Sequence, residues 1–248
     1  MILLKTEREL GIMRRAGQAV AITLEELKAA IKPGVSTAYL DELAEKTLHK
    51  LGAKPAFKGY QGFPAVICAS INEEVVHGIP GPRKLKSGDI IKLDMGAVVD
   101  GYYGDAAITV PVGDIKPEAA ALIRVTEECL ARGVEEARVG KRLGDISHAI
   151  QHTAESQGFS VVRDYVGHGI GSRMHEDPPV PNYGRPSRGP LLRAGMTLAI
   201  EPMVNLGTHE VCVKEDQWTV VTRDGKLSAH FEHTVAITPE GPLILTVA

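Results

Sequence analysis

Residues Ser87 to Val112, SGDIIKLDMGAVVDGYYGDAAITVPV, decide how this chain folds. Ile90, Ile91, Leu93, Val98 and Val99 make one β-rich run, and Tyr102, Tyr103, Ala107, Ile108, Val110 and Val112 make a second. Asp100-Gly101 between them has the composition of a two-residue hairpin turn. Such a turn sets Val99 against Tyr102, Asp94 against Ala107 and Asp105 against Gly96. The two carboxylates then share a face as diagonal neighbours. Aspartate is depleted in strands, and adjacent carboxylates repel unless a cation lies between them.

The bulk composition narrows the partner. With 28 Lys and Arg against 31 Asp and Glu, a net charge of −3 and no block of like charges, there is no footprint for nucleic acid or an anionic membrane. A small molecule or peptide fits better. The 248 residues are enough to bury a full core. Cys68, Cys129 and Cys212 are odd in number, scattered and free of any CxxC spacing, as expected of reduced thiols. The start, MILLKTERELGIMRRAG, carries charges of both signs too soon for a secretory signal, and no apolar run reaches the roughly 18 residues of a membrane span. A soluble, cytoplasmic, monomeric protein is expected.

Helices are predicted from Thr6 to Ile31, from Ser36 to Gly52, from Lys116 to Val139 and from Asp145 to Gln157. Strands are expected at Ala65 to Ile71, Phe159 to Tyr165, Thr197 to Glu201, Val211 to Val213, Trp218 to Thr222 and His230 to Ile237, with loops at Phe57 to Pro64, Asn72 to Ser87 and Glu176 to Pro190. These elements repeat. Aligning KPGVSTAYLDELAEKTLHKLG with RVGKRLGDISHAIQHTAESQG sets Gly34 on Gly140 and Gly52 on Gly158, and aligning SGDIIKLD with AGMTLAIE sets Gly88 on Gly195 and Asp94 on Glu201. One domain, 1–248, built from related halves of approximately 1–115 and 116–248, follows from that order.

His168 in YVGHGIGSRMH, Glu201 in LAIEPMV and Glu232 in HFEHTVAI are polar residues within or beside runs that read as buried. Buried carboxylates and imidazoles are costly unless paired or bound to metal. Asp94, Asp105, His168, Glu201 and Glu232 together therefore predict a shared cation site. Four carboxylates and one imidazole without a thiolate suit Mn, Fe(II), Co or Zn, and carry enough negative charge for two divalent ions.

The stretches DMGAVVDGYYGDAAIT, YVGHGIGSRMHEDPPVPNY, EPMV and FEHTVAIT, in this order, resemble the motifs of the type I methionine aminopeptidases over nearly the whole chain. The resemblance implies an α+β pita-bread fold, two pseudo-symmetric α/β halves around a curved antiparallel sheet. It implies a metal-dependent aminopeptidase that removes the N-terminal methionine of peptides and nascent proteins, prefers a small second residue and touches the ribosome transiently. It also implies that all five polar residues ligate a dinuclear centre, with Asp105 and Glu232 bridging. His77 and His175 would flank the scissile peptide, and Glu201 would shuttle the proton. Tyr60, Phe63, Cys68, Met174 and Trp218 would wall the methionine pocket, with His77 and His175 at its mouth. Met174 departs from the aromatic residue usual there. The chain is similar to the minimal bacterial form, without a zinc-finger extension or the long helical insertion of type II enzymes. Two readings compete: a proline-specific peptidase of the same fold, which usually carries an added N-terminal domain, and a metal-free binding module, in which the ligands are usually substituted.

Overall fold

Thr6 starts the first helix as its spacing predicts: its hydroxyl accepts from the Glu9 N–H while the Glu9 carboxylate accepts from the Thr6 N–H. In the computed structural model, which describes residues 1–248, this helix is α1 (Glu7–Ala30), followed by α2 (Thr37–Lys50). Short strands β1 (Lys54–Pro55), β2 (Cys68–Ile71) and β3 (Glu74–Val76) lead to the long hairpin β4 (Ile90–Val99) and β5 (Tyr102–Pro111). Helices α3 (Pro117–Glu136) and α4 (Leu143–Glu155) come next, then β6 (Ser160–Val161), β7 (Gly167–Gly169), β8 (Glu176–Val180), β9 (Thr197–Ile200) and β10 (Met203–Asn205). The chain closes with β11 (Val211–Val213), β12 (Val220–Thr222), β13 (Ser228–His230), β14 (Glu232–Thr238) and β15 (Gly241–Ile244).

The hairpin has the register its turn prescribes, with Val99 opposite Tyr102, Asp94 opposite Ala107 and Gly96 opposite Asp105. Asp100 and Gly101 both take positive φ, 47° and 79°, as a type I′ turn requires. The central antiparallel sheet runs β1-β4-β5-β14-β9-β7-β8, with β2 also on β4 and β15 also on β14. Two cores form, each drawn mainly from one half, with Ile90 of the first half buried in the second. Leu24 and Leu27 of α1 and Leu40 and Leu48 of α2 pack on Ile91, Leu93 and Met95. Leu122, Val125 and Leu130 of α3 and Ile146 and Ile150 of α4 pack on Leu198, Ile200 and Val235. This is the α+β arrangement the sequence reading expects.

The halves also repeat their joints. Ser36 bridges Lys84 just as Arg142 bridges Leu191, and the Gly34 N–H donates to Leu85 O as the Gly140 N–H donates to Leu192 O. Gly34, Gly140, Gly52, Gly158, Gly88 and Gly195 all have positive φ, which explains why glycine stands at each aligned position.

Several boundaries differ from expectation for identifiable reasons. The strand expected from Ala65 pairs only from Cys68, because the Val66 and Ile67 N–H groups donate to Asp41 Oδ1 at 2.8 and 3.0 Å. The strand expected from Trp218 pairs only from Val220, the Trp218 and Thr219 N–H groups being taken by Asp216 Oδ1 at 2.9 and 2.8 Å. Phe159 to Tyr165 yields only β6. Glu176 to Val180 is a strand rather than loop, and its prolines are tolerated because β8 is the last strand of the sheet. The expected loop after Asn72 contains β3, which pairs with β12. His230 to Ile237 is broken at Phe231, where the chain leaves the small sheet of β13 for the central one.

Candidate metal centre

Five neighbouring strands of the central sheet each bring one polar residue to the same place. Asp94 is on β4, Asp105 on β5, Glu232 opens β14, Glu201 directly follows β9, and His168 is the middle residue of β7. Asp94 and Glu232 both pair with Ala107, from opposite sides, so two acids flank one small residue. His168 Nε2 lies 3.6 Å from Glu201 Oε1 and 3.9 Å from Asp105 Oδ2, and donor atoms of Asp105, His168 and Glu232 fall within 4.8 Å of one another.

No lysine or arginine pairs with any of the four acids; their only ion-pair-distance neighbours are His168 and His230. Asp94 Oδ1, Asp105 Oδ1 and Glu232 Oε1 are buried with no hydrogen-bond partner in the protein. Burial pushes Asp94 up to about 7. Burial, and then the neighbouring carboxylates, hold Asp105, Glu201 and Glu232 well above the usual carboxylate range. Such a cluster needs positive charge from elsewhere, and a hard or borderline divalent cation matches its oxygen-rich donor set.

His168 is prepared for the same purpose. Its Nδ1 lies 2.8 Å from Gly169 O, which can only accept, so Nδ1 carries the proton and Nε2 presents its lone pair to the acids. Burial and the nearby His175 push its pKa down to about 4, keeping the ring neutral. Cys68 stands at the same cleft, but burial drives its thiol well up, so it remains an uncharged wall.

All twelve residues singled out from the sequence line one cleft of about 290 Å³. His77 reaches it from a left-handed backbone, φ 60°, that few non-glycine residues adopt. Burial and then His175 push its pKa down to about 4. The Tyr60 hydroxyl lies 2.8 Å from His175 Nδ1, so Nε2 is the His175 nitrogen left for a ligand, and the ring of His168 lies 4.2 Å from that of His175, tilted by 56°. Trp218 meets Phe63 edge to face at 5.2 Å. A larger hollow of about 530 Å³ between α1 and the C-terminal strands holds none of these residues.

Sequence reading missed three residues here. Phe57 and Gln61 also line the cleft, on the loop that carries Tyr60 and Phe63. His230 sits 3.9 Å from Glu201; its position two residues before Glu232 in a β-rich run was the available signal, since alternate residues of a strand share a face.

The model of metallopeptidase family M24 matches residues 11–239. Methionine aminopeptidase 1 of Bacillus subtilis is 60% identical over 246 residues, 99% of each chain. The methionine aminopeptidase of Clostridium acetobutylicum is 60% identical over 248 residues, 100% of this chain and 99% of that one. The crystal structure of methionine aminopeptidase from Thermotoga maritima superposes with a TM-score of 0.99 at 52% identity, covering 100% of both chains. The prolidase of Pyrococcus furiosus shares the fold alone: TM-score 0.81, 22% identity, 99% of this chain and 65% of that one.

Proposed function

Because the chain belongs to metallopeptidase family M24 and hydrolyses the N-terminal methionine from peptides and proteins, we propose that Asp94, Asp105, His168, Glu201 and Glu232 hold two divalent cations at the head of its cleft. The observation that carries this reading is the group of buried acids with unpartnered oxygens and no lysine or arginine beside them. Mn, Fe(II), Co or Zn would each suit the donor set. Divalent cations held there supply Lewis acidity and a nucleophile usable at neutral pH.

The chain's own residues do the rest. Tyr60, Phe63, Cys68, Met174 and Trp218 enclose the methionine side chain, and Phe57 and Gln61 extend the wall. His77 and His175, both neutral at physiological pH, flank the scissile peptide, one toward its nitrogen and the other toward its carbonyl oxygen. The N–H of the one on the carbonyl side stabilises negative charge as it develops on that oxygen. Glu201, the carboxylate with most remaining exposure among the four, 14% of its side chain, carries the proton to the leaving amine. A free amino terminus seated against this cluster would restrict cleavage to the first residue. A cleft of about 290 Å³ must also seat the second residue, so small ones are preferred. Chains still bearing their initiator methionine, encountered during synthesis at the ribosome, are the natural substrates on this reading.

The test is hydrolysis of Met-Ala-Ser, Met-Leu-Ser and Ala-Pro peptides by protein stripped with chelator and reloaded with Mn. Activity should vanish on stripping, return on reloading, and favour Met-Ala-Ser by about 100-fold or more. Cleavage of Ala-Pro in preference, or none with any of Mn, Fe(II), Co or Zn, would overturn it.

A further inference from the structure

His230 is 1% exposed, and neither of its ring nitrogens has a hydrogen-bond partner in the protein. A buried polar group left in that condition costs about 1–3 kcal/mol and calls for a reason. The backbone gives the ring no route away. The His230 N–H donates to Thr109 Oγ1 at 2.9 Å, that hydroxyl donates to His230 O at 2.7 Å, and β13 holds His230 against Met203.

Its Nε2 points at Glu201 Oε2, 3.9 Å away, while the other oxygen of Glu201 lies 3.6 Å from His168 Nε2. The Glu201 carboxylate thus stands between two imidazoles. One has a part in the proposed centre and the other has none. Lys92 and His77 are the remaining titratable groups near the ring, and Lys92 already donates to Asn72 O at 2.7 Å.

We infer that His230 is a positioning residue for Glu201, its Nε2–H donating to Oε2 when the centre is loaded. A movement of about 1 Å brings the pair into hydrogen-bond range. A carboxylate held at one oxygen cannot swing to chelate through both, so Oε1, on the His168 side, is left as the ligand atom and the proton is carried at a fixed position. Neighbours that orient metal ligands in this way typically alter metal affinity or activity about 10–100-fold when removed. The inference rests on the reading of Glu201 as ligand and proton carrier.

The experiment compares wild type, His230→Gln and His230→Leu. Mn affinity is read by electron paramagnetic resonance, kcat and KM are measured on Met-Ala-Ser, and the ring ¹⁵N spectrum of the Zn-loaded wild type is recorded. His230→Leu should weaken Mn binding and lower kcat about 10–100-fold with KM within about two-fold, and His230→Gln, which keeps an N–H donor, should restore most of both. The spectrum should place the His230 proton on Nε2. A His230→Leu protein with wild-type Mn affinity and kcat, a defect that His230→Gln does not relieve, or a proton on Nδ1 would each overturn the inference. Because the spectrum needs only wild type, failure of a variant to fold does not shield it. Wild type that neither binds Mn nor cleaves Met-Ala-Ser would remove the underlying reading of the site as well.

Discussion

In metal-stripped protein Asp94 is a liability: its carboxyl is buried, one oxygen has no partner, and Asp105 and Glu201 stand close by. Asp94→Asn should therefore raise the urea midpoint of the stripped protein, a gain of about 1–3 kcal/mol in unfolding free energy, while lowering Mn-dependent turnover at least about 100-fold. A fall in that midpoint would mean the cluster is not self-repelling. Glu9 is the opposite case. The Thr6 N–H, the Tyr102 hydroxyl and the Thr6 hydroxyl hold its pKa down to about 2. A folded pKa below the unfolded value of 4.5 means that this stabilisation is complete above pH 4.5 and is lost as pH falls toward 2. The gap in urea midpoint between wild type and Glu9→Gln should accordingly narrow from pH 7 to pH 3, and a constant gap would contradict the assignment. The acids were legible in the sequence because carboxylates are anomalous in apolar strands. His230 was passed over, since a lone histidine in a strand reads as ordinary core; its spacing from Glu232 was a weak signal, and its unpartnered nitrogens are what set it apart in the fold.

Helix α1 shows how element-level forces override intrinsic preference. Replacing Gly17 by alanine would gain about 1 kcal/mol of helix propensity on an isolated helix. Here the added methyl would run into Leu245 O, and Gly104 of β5 already approaches so closely that its own Cβ would come within 2.6 Å of Gly17 N. Gly17→Ala should thus destabilise the protein by about 1–3 kcal/mol in chemical unfolding, and stabilisation would refute the close packing of helix on sheet. The segment before α1 is tied down by Lys5, whose Nζ lies 2.5 Å from Glu176 Oε2 on β8, with only 5% and 1% of the two side chains exposed. Lys5→Met leaves a buried carboxylate alone and should lose about 3–5 kcal/mol, most of it recovered in Lys5→Met/Glu176→Met; equal losses in both proteins would contradict this. The helices were legible because caps, glycines and a 3.6-residue apolar period coincide. The edge strand β8 was not, because its prolines carry a loop signature that only its place at the rim of the sheet makes compatible with pairing.

Across the whole molecule, the proposed centre draws Asp94 and Asp105 from the first part of the chain and His168, Glu201 and Glu232 from the second, so a cation bound there would tie the two together. Mn at about 100 times its dissociation constant should stabilise the fold by about 2.7 kcal/mol, roughly 5–10 °C in melting temperature for a protein of this size. No shift on titration into stripped protein would show that the acids do not bind it. The internal repeat was visible in matching glycines, whereas the meeting of β5 with β14 was not, since pairing between distant strands leaves no local period in sequence. That pairing fixes an order of events during synthesis. Strand β14 lies in the middle of the sheet yet follows every other strand on the path from β1 to β8 in sequence, and until it is in place β5 presents an open edge and the acids lack Glu232. Catalytic competence therefore cannot accumulate gradually along the growing polypeptide. It waits on the pairing of β14 with β5, and a chain that stalls before Glu232 is left with a bare β edge and an incomplete acid cluster.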